Sequence, residues 1–321
     1  MKKMTFVMGA ALTLMTATGL GTAQAADFPK KPIEIIVPAS AGGGTDMLAR
    51  ALANSAKDVF GQPVVIVNKP GGSGVVGFTA GQTAKPDGYT TTMFFAEIVI
   101  VPHLGLAKTD HKLFDPIMRL NMDPAAITVQ ADAPWKTLKE FIDYAKANPG
   151  KLRVANSGPG SIWQLAAAQM EDKLGLKFIQ IPYSGAAPGV TALLSGAVEA
   201  AAFSPAEVGS QVLAGKLRML GVMSEKREKA YPDVPTFREQ GVDIVIGTWR
   251  GLGVPKGTPE DVKKILHDGF KKAMENPVFI DQAEKAGLGL GYMTAADFAK
   301  FQDEEFATYK RLVDKLGLRA K

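Results

Sequence analysis

Three times in this chain a short apolar run leads into a Gly/Ser/Thr loop that contains no Lys, Arg or His. Each loop opens a segment with helical periodicity. The first joins residues 33–37 to Pro38-Ala39-Ser40-Ala41-Gly42-Gly43-Gly44-Thr45-Asp46. The second joins residues 152–155 to Asn156-Ser157-Gly158-Pro159-Gly160-Ser161, and the third joins 178–181 to Pro182-Tyr183-Ser184-Gly185-Ala186-Ala187. A strand entering a helix through such a loop presents backbone N–H groups at the positive end of the helix dipole, an anion site that needs no basic side chain. Three such loops call for an alternating strand–helix architecture and point to a receptor for a small anion rather than a catalyst. In the first loop, Gly44 or Thr45 is placed to cap the helix that carries Met47-Leu48-Ala49-Arg50.

The alternation continues along the chain. Further strands are predicted at 64–67, 90–95, 126–129, 200–203, 217–222, 244–246 and 252–254, several of them unbroken apolar runs suited to strands buried on both faces. Helix starts are explicit. Thr137-Leu138-Lys139-Glu140 is a capping box, with Leu138, Phe141, Ile142 and Ala145 on one face. Thr258-Pro259 places a cap and a first-turn proline before Val262, Ile265, Leu266 and Phe270. Thr294 caps a last helix whose core side is Phe298, Phe301, Phe306, Tyr309 and Leu312. This pattern predicts an α/β fold with mostly parallel sheets flanked by helices. Its length exceeds a usual single core and predicts two domains. The expected division is 27–126 plus 249–321 for one and 127–248 for the other, with two short crossings as a hinge.

Composition narrows the function classes. Lys2 and Lys3, an apolar stretch through Leu20 and Ala23-Gln24-Ala25 read as a secretory signal cleaved after Ala25. The expected location is therefore the periplasm. No later run has the ~20 apolar residues of a membrane span. The formal net charge of +5 falls by two when the signal leaves, and the remaining basic residues are interleaved with acids. Nucleic acid is not an expected partner. Cys is absent, which excludes disulfides, thiolate metal sites and a cysteine nucleophile.

Other motifs admit competing readings. Gly72-Ser73-Gly74-Val75-Val76-Gly77 fits the dinucleotide fingerprint, with Glu97 twenty residues past Gly77, and favours a secreted cofactor-binding oxidoreductase as the alternative class. Against it, Lys69-Pro70-Gly71 separates the glycines from the preceding strand. His103 and His111 lie near Asp110 and Asp115 and read as a solvated group without metal-ligand spacing, and no metal is expected. Asp303-Glu304-Glu305 reads as the wet face of the last helix. No G-x-S-x-G elbow supports a hydrolase serine. Glu97 and Glu207 each follow a strand, where open sheets bind ligands. Each is a candidate ligand contact, or else an acid stabilised at a helix N-terminus.

The run Phe28-Pro29-Lys30-Lys31-Pro32-Ile33, then Ile36-Val37-Pro38, then Ala41-Gly42-Gly43 with Asp46 and Ala49-Arg50, resembles the start of the mature Bug-type receptors, the substrate-binding proteins of tripartite tricarboxylate transporters. The resemblance continues in Gly61-Gln62-Pro63-Val64-Val65, Asn68-Lys69-Pro70-Gly71, Lys85-Pro86-Asp87-Gly88-Tyr89-Thr90, Tyr183-Ser184-Gly185, Gly215-Lys216-Leu217-Arg218, Pro232-Asp233-Val234-Pro235-Thr236 and Trp249 with Gly251-Leu252. It implies a two-lobed, type II-like periplasmic binding protein with its ligand cleft between the lobes. The implied molecule is a non-enzymatic monomer without cofactor that delivers a small organic acid to a membrane permease. It also implies a carboxylate held by loop N–H groups, hydroxyls and water. The first lobe would supply Ser40, Ala41, Gly43, Thr45 and Asp46, and the second Ser157, Gly158, Ser161, Ser184, Gly185 and Ala186. Residues 72–77 then form a structural loop. Glu97 and Glu207 depart from the family pattern. They leave a dicarboxylate, a hydroxy acid, an aromatic carboxylate or an amino acid open as the ligand, and sensing open beside uptake.

Overall fold

The computed structural model describes residues 28–319, so the signal segment and its cleavage point lie outside the described residues. The chain begins with β1 (Ile33–Val37), α1 (Gly44–Phe60), β2 (Val64–Asn68), α2 (Val75–Gln82), β3 (Thr90–Phe95), the single turn α3 (Glu97–Ile100) and β4 (Phe114–Pro124). It continues through β5 (Ala126–Gln130), α4 (Leu138–Ala147), β6 (Arg153–Asn156), α5 (Ile162–Leu174), β7 (Ile179–Pro182), α6 (Ala186–Leu194), β8 (Ala200–Phe203), α7 (Pro205–Leu213) and β9 (Leu217–Val222). It closes with β10 (Gly247–Pro255), α8 (Glu260–Met274), α9 (Pro277–Lys285), β11 (Leu290–Met293) and α10 (Ala295–Leu316).

These strands form two sheets, one of six strands in the order β11-β4-β10-β3-β1-β2 and one of five in the order β7-β6-β8-β5-β9. The first takes strands from both ends of the described chain and the second only from its middle. The result is a two-lobed α/β fold. The sheets are mixed, which corrects the expectation of mostly parallel pairing. β1 pairs in parallel with β2 and β3, and β6 with β7 and β8. The pairings of β10 with β3 and β4, β11 with β4, and β5 with β8 and β9 are antiparallel. The reason is the route of the chain. β10 enters the first lobe and β5 the second directly from the other lobe, without a crossover helix, and each runs against the βαβ strands it pairs with, whereas β4 keeps the direction of β1 and β3.

The lobes meet at two adjacent backbone segments. Ala125 N–H donates to Ile246 O (2.8 Å), Ile246 N–H to Met223 O (3.0 Å), and Met223 N–H to Ala125 O (2.7 Å). Behind this joint α10 packs on the first lobe's long strands, with Trp249 stacked edge-on against Phe298 at 5.3 Å.

The helix-start signals at Thr137 and Thr294 behave as their chemistry requires. Thr137 and Glu140 form a reciprocal capping box, and Leu138, Phe141, Ile142 and Ala145 are buried beneath it. Burying the larger of these side chains contributes roughly 1.5–3 kcal/mol each. Thr294 Oγ1 accepts from Asp297 N–H at 3.2 Å and caps α10. Thr258, by contrast, does not cap α8. Its hydroxyl donates to Pro255 O at 2.8 Å, and Pro259 is the N-cap. The predicted strand at 244–246 joins no sheet and leads into β10, and β4 and β11 form where no strand is predicted. His103 and His111 are buried, which corrects their reading as a solvated pair. His103 Nε2 meets Phe306 O at 2.8 Å and His111 Nε2 meets Asp303 Oδ1 at 2.7 Å.

Candidate functional site

The C-terminal ends of β1, β3, β6, β7 and β8 face one another across the gap between the lobes. The loops that follow them enclose a cavity of about 290 Å³. That volume lies at the small end of the roughly 300–1,000 Å³ usual for small-molecule sites.

The first wall is the loop before α1. Gly43 is the N-cap, and no side chain caps this helix, so the reading of Gly44 or Thr45 as the cap is corrected. The N–H groups of its first turn are therefore free to serve an external acceptor. Gly44 lies where a Cβ would stand 2.7 Å from Arg250 Nη2, so only glycine lets the guanidinium pass this close to the helix start. Across the gap α6 also begins without a side-chain cap, from Gly185. Ser161 does cap α5, accepting from Gln164 N–H at 3.1 Å.

Of the residues singled out in the sequence, Ser40, Gly43, Thr45, Glu97, Ser157, Gly158, Ser184, Gly185, Ala186 and Glu207 line this cavity. Ala41, Asp46 and Ser161 do not. Ala41 is exposed and Ser161 is buried as a cap. Asp46 is turned inward to hold the loop. Its Oδ2 accepts from Gly42 N–H (2.9 Å) and Arg50 Nε (2.8 Å), and its Oδ1 from Asn68 Nδ2 (2.9 Å). Burial pushes this carboxyl up, but the Arg50, Gly42 and Asn68 hydrogen bonds together outweigh it and hold the pKa below the ordinary value.

The glycine segment 71–74 also faces the cavity, as a 3₁₀ turn with Ser73 at its tip. It closes on the other lobe instead of opening a phosphate-binding helix. Ser73 Oγ donates to Pro159 O at 2.6 Å, and Ser40 Oγ donates to Ser184 O. Both bonds span the lobes, so the cleft is shut.

Arg250 is the main feature that the loop chemistry leaves unannounced. It sits mid-way along β10, 1% exposed, and its side chain reaches the cavity wall. Nε donates to Thr45 Oγ1 at 2.9 Å, Nη1 donates to Asp123 Oδ2, and Nη2 lies 3.8 Å from Glu207 Oε1. Asp123 also accepts from Asn121 Nδ2 (3.0 Å) and Gly289 N–H (2.9 Å). The detectable signal is a lone arginine inside the otherwise uncharged strand Gly247–Pro255.

Two buried acids complete the wall. Glu207 Oε2 accepts from Ser204 N–H at 3.1 Å at the start of α7, so this acid serves its helix and the cavity together. Burial raises its pKa, with Arg250 opposing. Glu97, at the start of α3, accepts from Ile162 N–H through Oε1 at 3.0 Å, a third bond across the lobes. Its Oε2 is buried without a partner. Burial pushes the Glu97 carboxyl up to about 7, with the Ile162 hydrogen bond opposing. Among the described residues no group of His, Asp or Glu is arranged to hold a metal ion.

Residues 48–318 match the Tripartite tricarboxylate transporter family receptor. The chain belongs to this receptor family. The receptor is 38% identical to the UPF0065 protein in the gbd 5′ region of Cupriavidus necator over 329 residues, 99% of each chain. A TctC solute-binding protein from Polaromonas, solved without ligand, is 45% identical, with 90% of the receptor and 99% of that chain covered and a TM-score of 0.68. MatC from Rhodopseudomonas palustris with bound malate is 26% identical, with 89% and 100% covered and a TM-score of 0.83. The less similar sequence thus superposes better, and it is the one that holds a ligand.

Proposed function

We propose that this chain is a periplasmic solute receptor that holds one small organic carboxylate between its lobes and hands it to a membrane permease, without catalysing a reaction. The observation that carries this reading is the pair of uncapped helix starts, at Gly43 and Gly185, on opposite walls of one small cavity. A carboxylate between them takes hydrogen bonds from main-chain N–H groups of both lobes, and an anion there is favoured by both helix dipoles. The malate in the relative from R. palustris supports a carboxylate ligand.

The lobes divide at Pro124–Ala125 and Ile246–Gly247, and closure is a rotation about that joint. The shut cleft and the better superposition on the ligand-bound relative both favour reading this structure as the closed state. A ligand that touches both lobes only when they are shut shifts the population towards that state. The receptor acts as a monomer and needs no cofactor. The oxidoreductase reading is not favoured, because the glycine turn at 72–74 bonds the other lobe through Ser73.

Thermal unfolding of the ligand-stripped mature chain against organic acids tests the proposal. A ligand at about 100 times its Kd adds about 2.7 kcal/mol, a shift of several degrees. Selective shifts with carboxylates are the expected result. An unshifted melt throughout, or nicotinamide or flavin absorbance in the purified protein, refutes it.

A further inference from the structure

The charge around the cavity is arranged against a second anion. Arg250 is the arginine in the wall, and its donors already face Thr45, Asp123 and Glu207. One buried cation therefore stands against two buried carboxylates before Glu97 is counted. Glu97 lines the cavity and is 3% exposed, and its buried Oε2 has no hydrogen-bond partner. Leaving a buried polar atom unmatched costs about 1–3 kcal/mol. Phe95, Trp163 and Tyr183 line the same cavity, and aromatic faces attract cations.

We propose that the solute carries a protonated amine beside its carboxylate, with the carboxylate on the free N–H groups of α1 and α6 and the ammonium donating to Glu97 Oε2. This rests on the carboxylate-receptor reading above and narrows it to amino acids and similar zwitterions. The ammonium supplies the donor that Oε2 lacks, and its charge offsets the excess of buried acid. A hydroxyl offers the hydrogen bond without the charge. A second carboxylate is tolerated at Glu97 only while that acid keeps its proton and still adds an anion near Glu207, whereas the ammonium favours the ionised Glu97.

Isothermal titration of the stripped mature chain with matched acids decides this. One triad is L-glutamate, 2-hydroxyglutarate and glutarate. The second is L-leucine, 2-hydroxyisocaproate and isocaproate, and the third is L-phenylalanine, phenyllactate and phenylpropionate. In at least one triad the amino acid should bind about tenfold tighter than both partners. Glu97→Gln should cost that amino acid about tenfold and change its hydroxy partner by less than about threefold. Glu97→Asp, which keeps the charge, should retain the preference for the amine, and the ligand-free melt of each variant reports folding. Tighter binding of the hydroxy or deaminated member overturns the inference and leaves the receptor reading standing. Silence across all three triads overturns both.

Discussion

Ser73 Oγ donates to Pro159 O at 2.6 Å, a bond between the glycine turn of the first lobe and the loop before α5 in the second. It sits at the wall of the cavity and exists only while the cleft is shut. Ser73→Ala removes one net hydrogen bond of about 0.5–1.5 kcal/mol from the shut state alone. Affinity for the solute should fall about two- to tenfold, through faster release. Stopped-flow dissociation measures this, and an unchanged off-rate would show that the bond does not contribute to closure.

Arg250 holds two buried acids at once. Arg250→Met leaves Asp123 and Glu207 without their cation and should destabilise the chain by about 3–5 kcal/mol. Adding Asp123→Asn should recover part of that loss. Urea unfolding of the single and double variants reads the coupling, and additive effects would contradict the arrangement.

Asp46 shapes the first loop from behind. Asp46→Asn keeps the volume but weakens the charge-assisted bond from Arg50, which is worth about 1.5–3 kcal/mol. Lower thermal stability and weaker solute binding are expected together. A loss of binding with an unchanged melt would instead mean that the carboxylate touches the solute.

Glu97 makes ligand-free stability depend on pH. Its carboxyl ionises at about 7 in the folded chain against 4.5 when unperturbed, with Arg250, Glu207 and Tyr309 the charged or titratable groups acting on or responding to it. Between these values the folded chain keeps a proton that the unfolded chain has lost. The contribution is full below about 4.5 and is lost as pH rises through about 7, an effect on the order of 3 kcal/mol. Glu207 is shifted in the same direction. Denaturant titrations at several pH values should show a flatter decline for Glu97→Gln than for the native chain. Parallel curves would place the dependence elsewhere.

The loops were readable because strand, glycine and cap chemistry is local. Most of the predicted strands match formed strands for the same reason. β4 was not predicted, since Asp115, Pro116, Arg119, Asn121 and Asp123 interrupt its apolar residues. The strand forms because it is flanked by β10 and β11, and because Arg119 and Asp123 find partners far along the chain, at Gly291, Arg250 and Gly289. Arg250 is hidden for a related reason. Its partners come from α1, β4 and α7, elements that only the folded topology brings together. Asp46 shows the converse: the family resemblance implied ligand contact, whereas packing against Asn68 and Arg50 turned it inward.

The joint between the lobes is written in main chain. Ala125, Met223 and Ile246 are linked through amide and carbonyl groups, so most side-chain replacements there should leave the proposed axis of closure intact. Proline at any of the three would delete a donor. Gly247 is the sterically restricted neighbour, since a Cβ would fall 2.2 Å from Asp123 O. If the lobes close about this joint as proposed, a lineage can change cavity side chains while inheriting the same main-chain pivot.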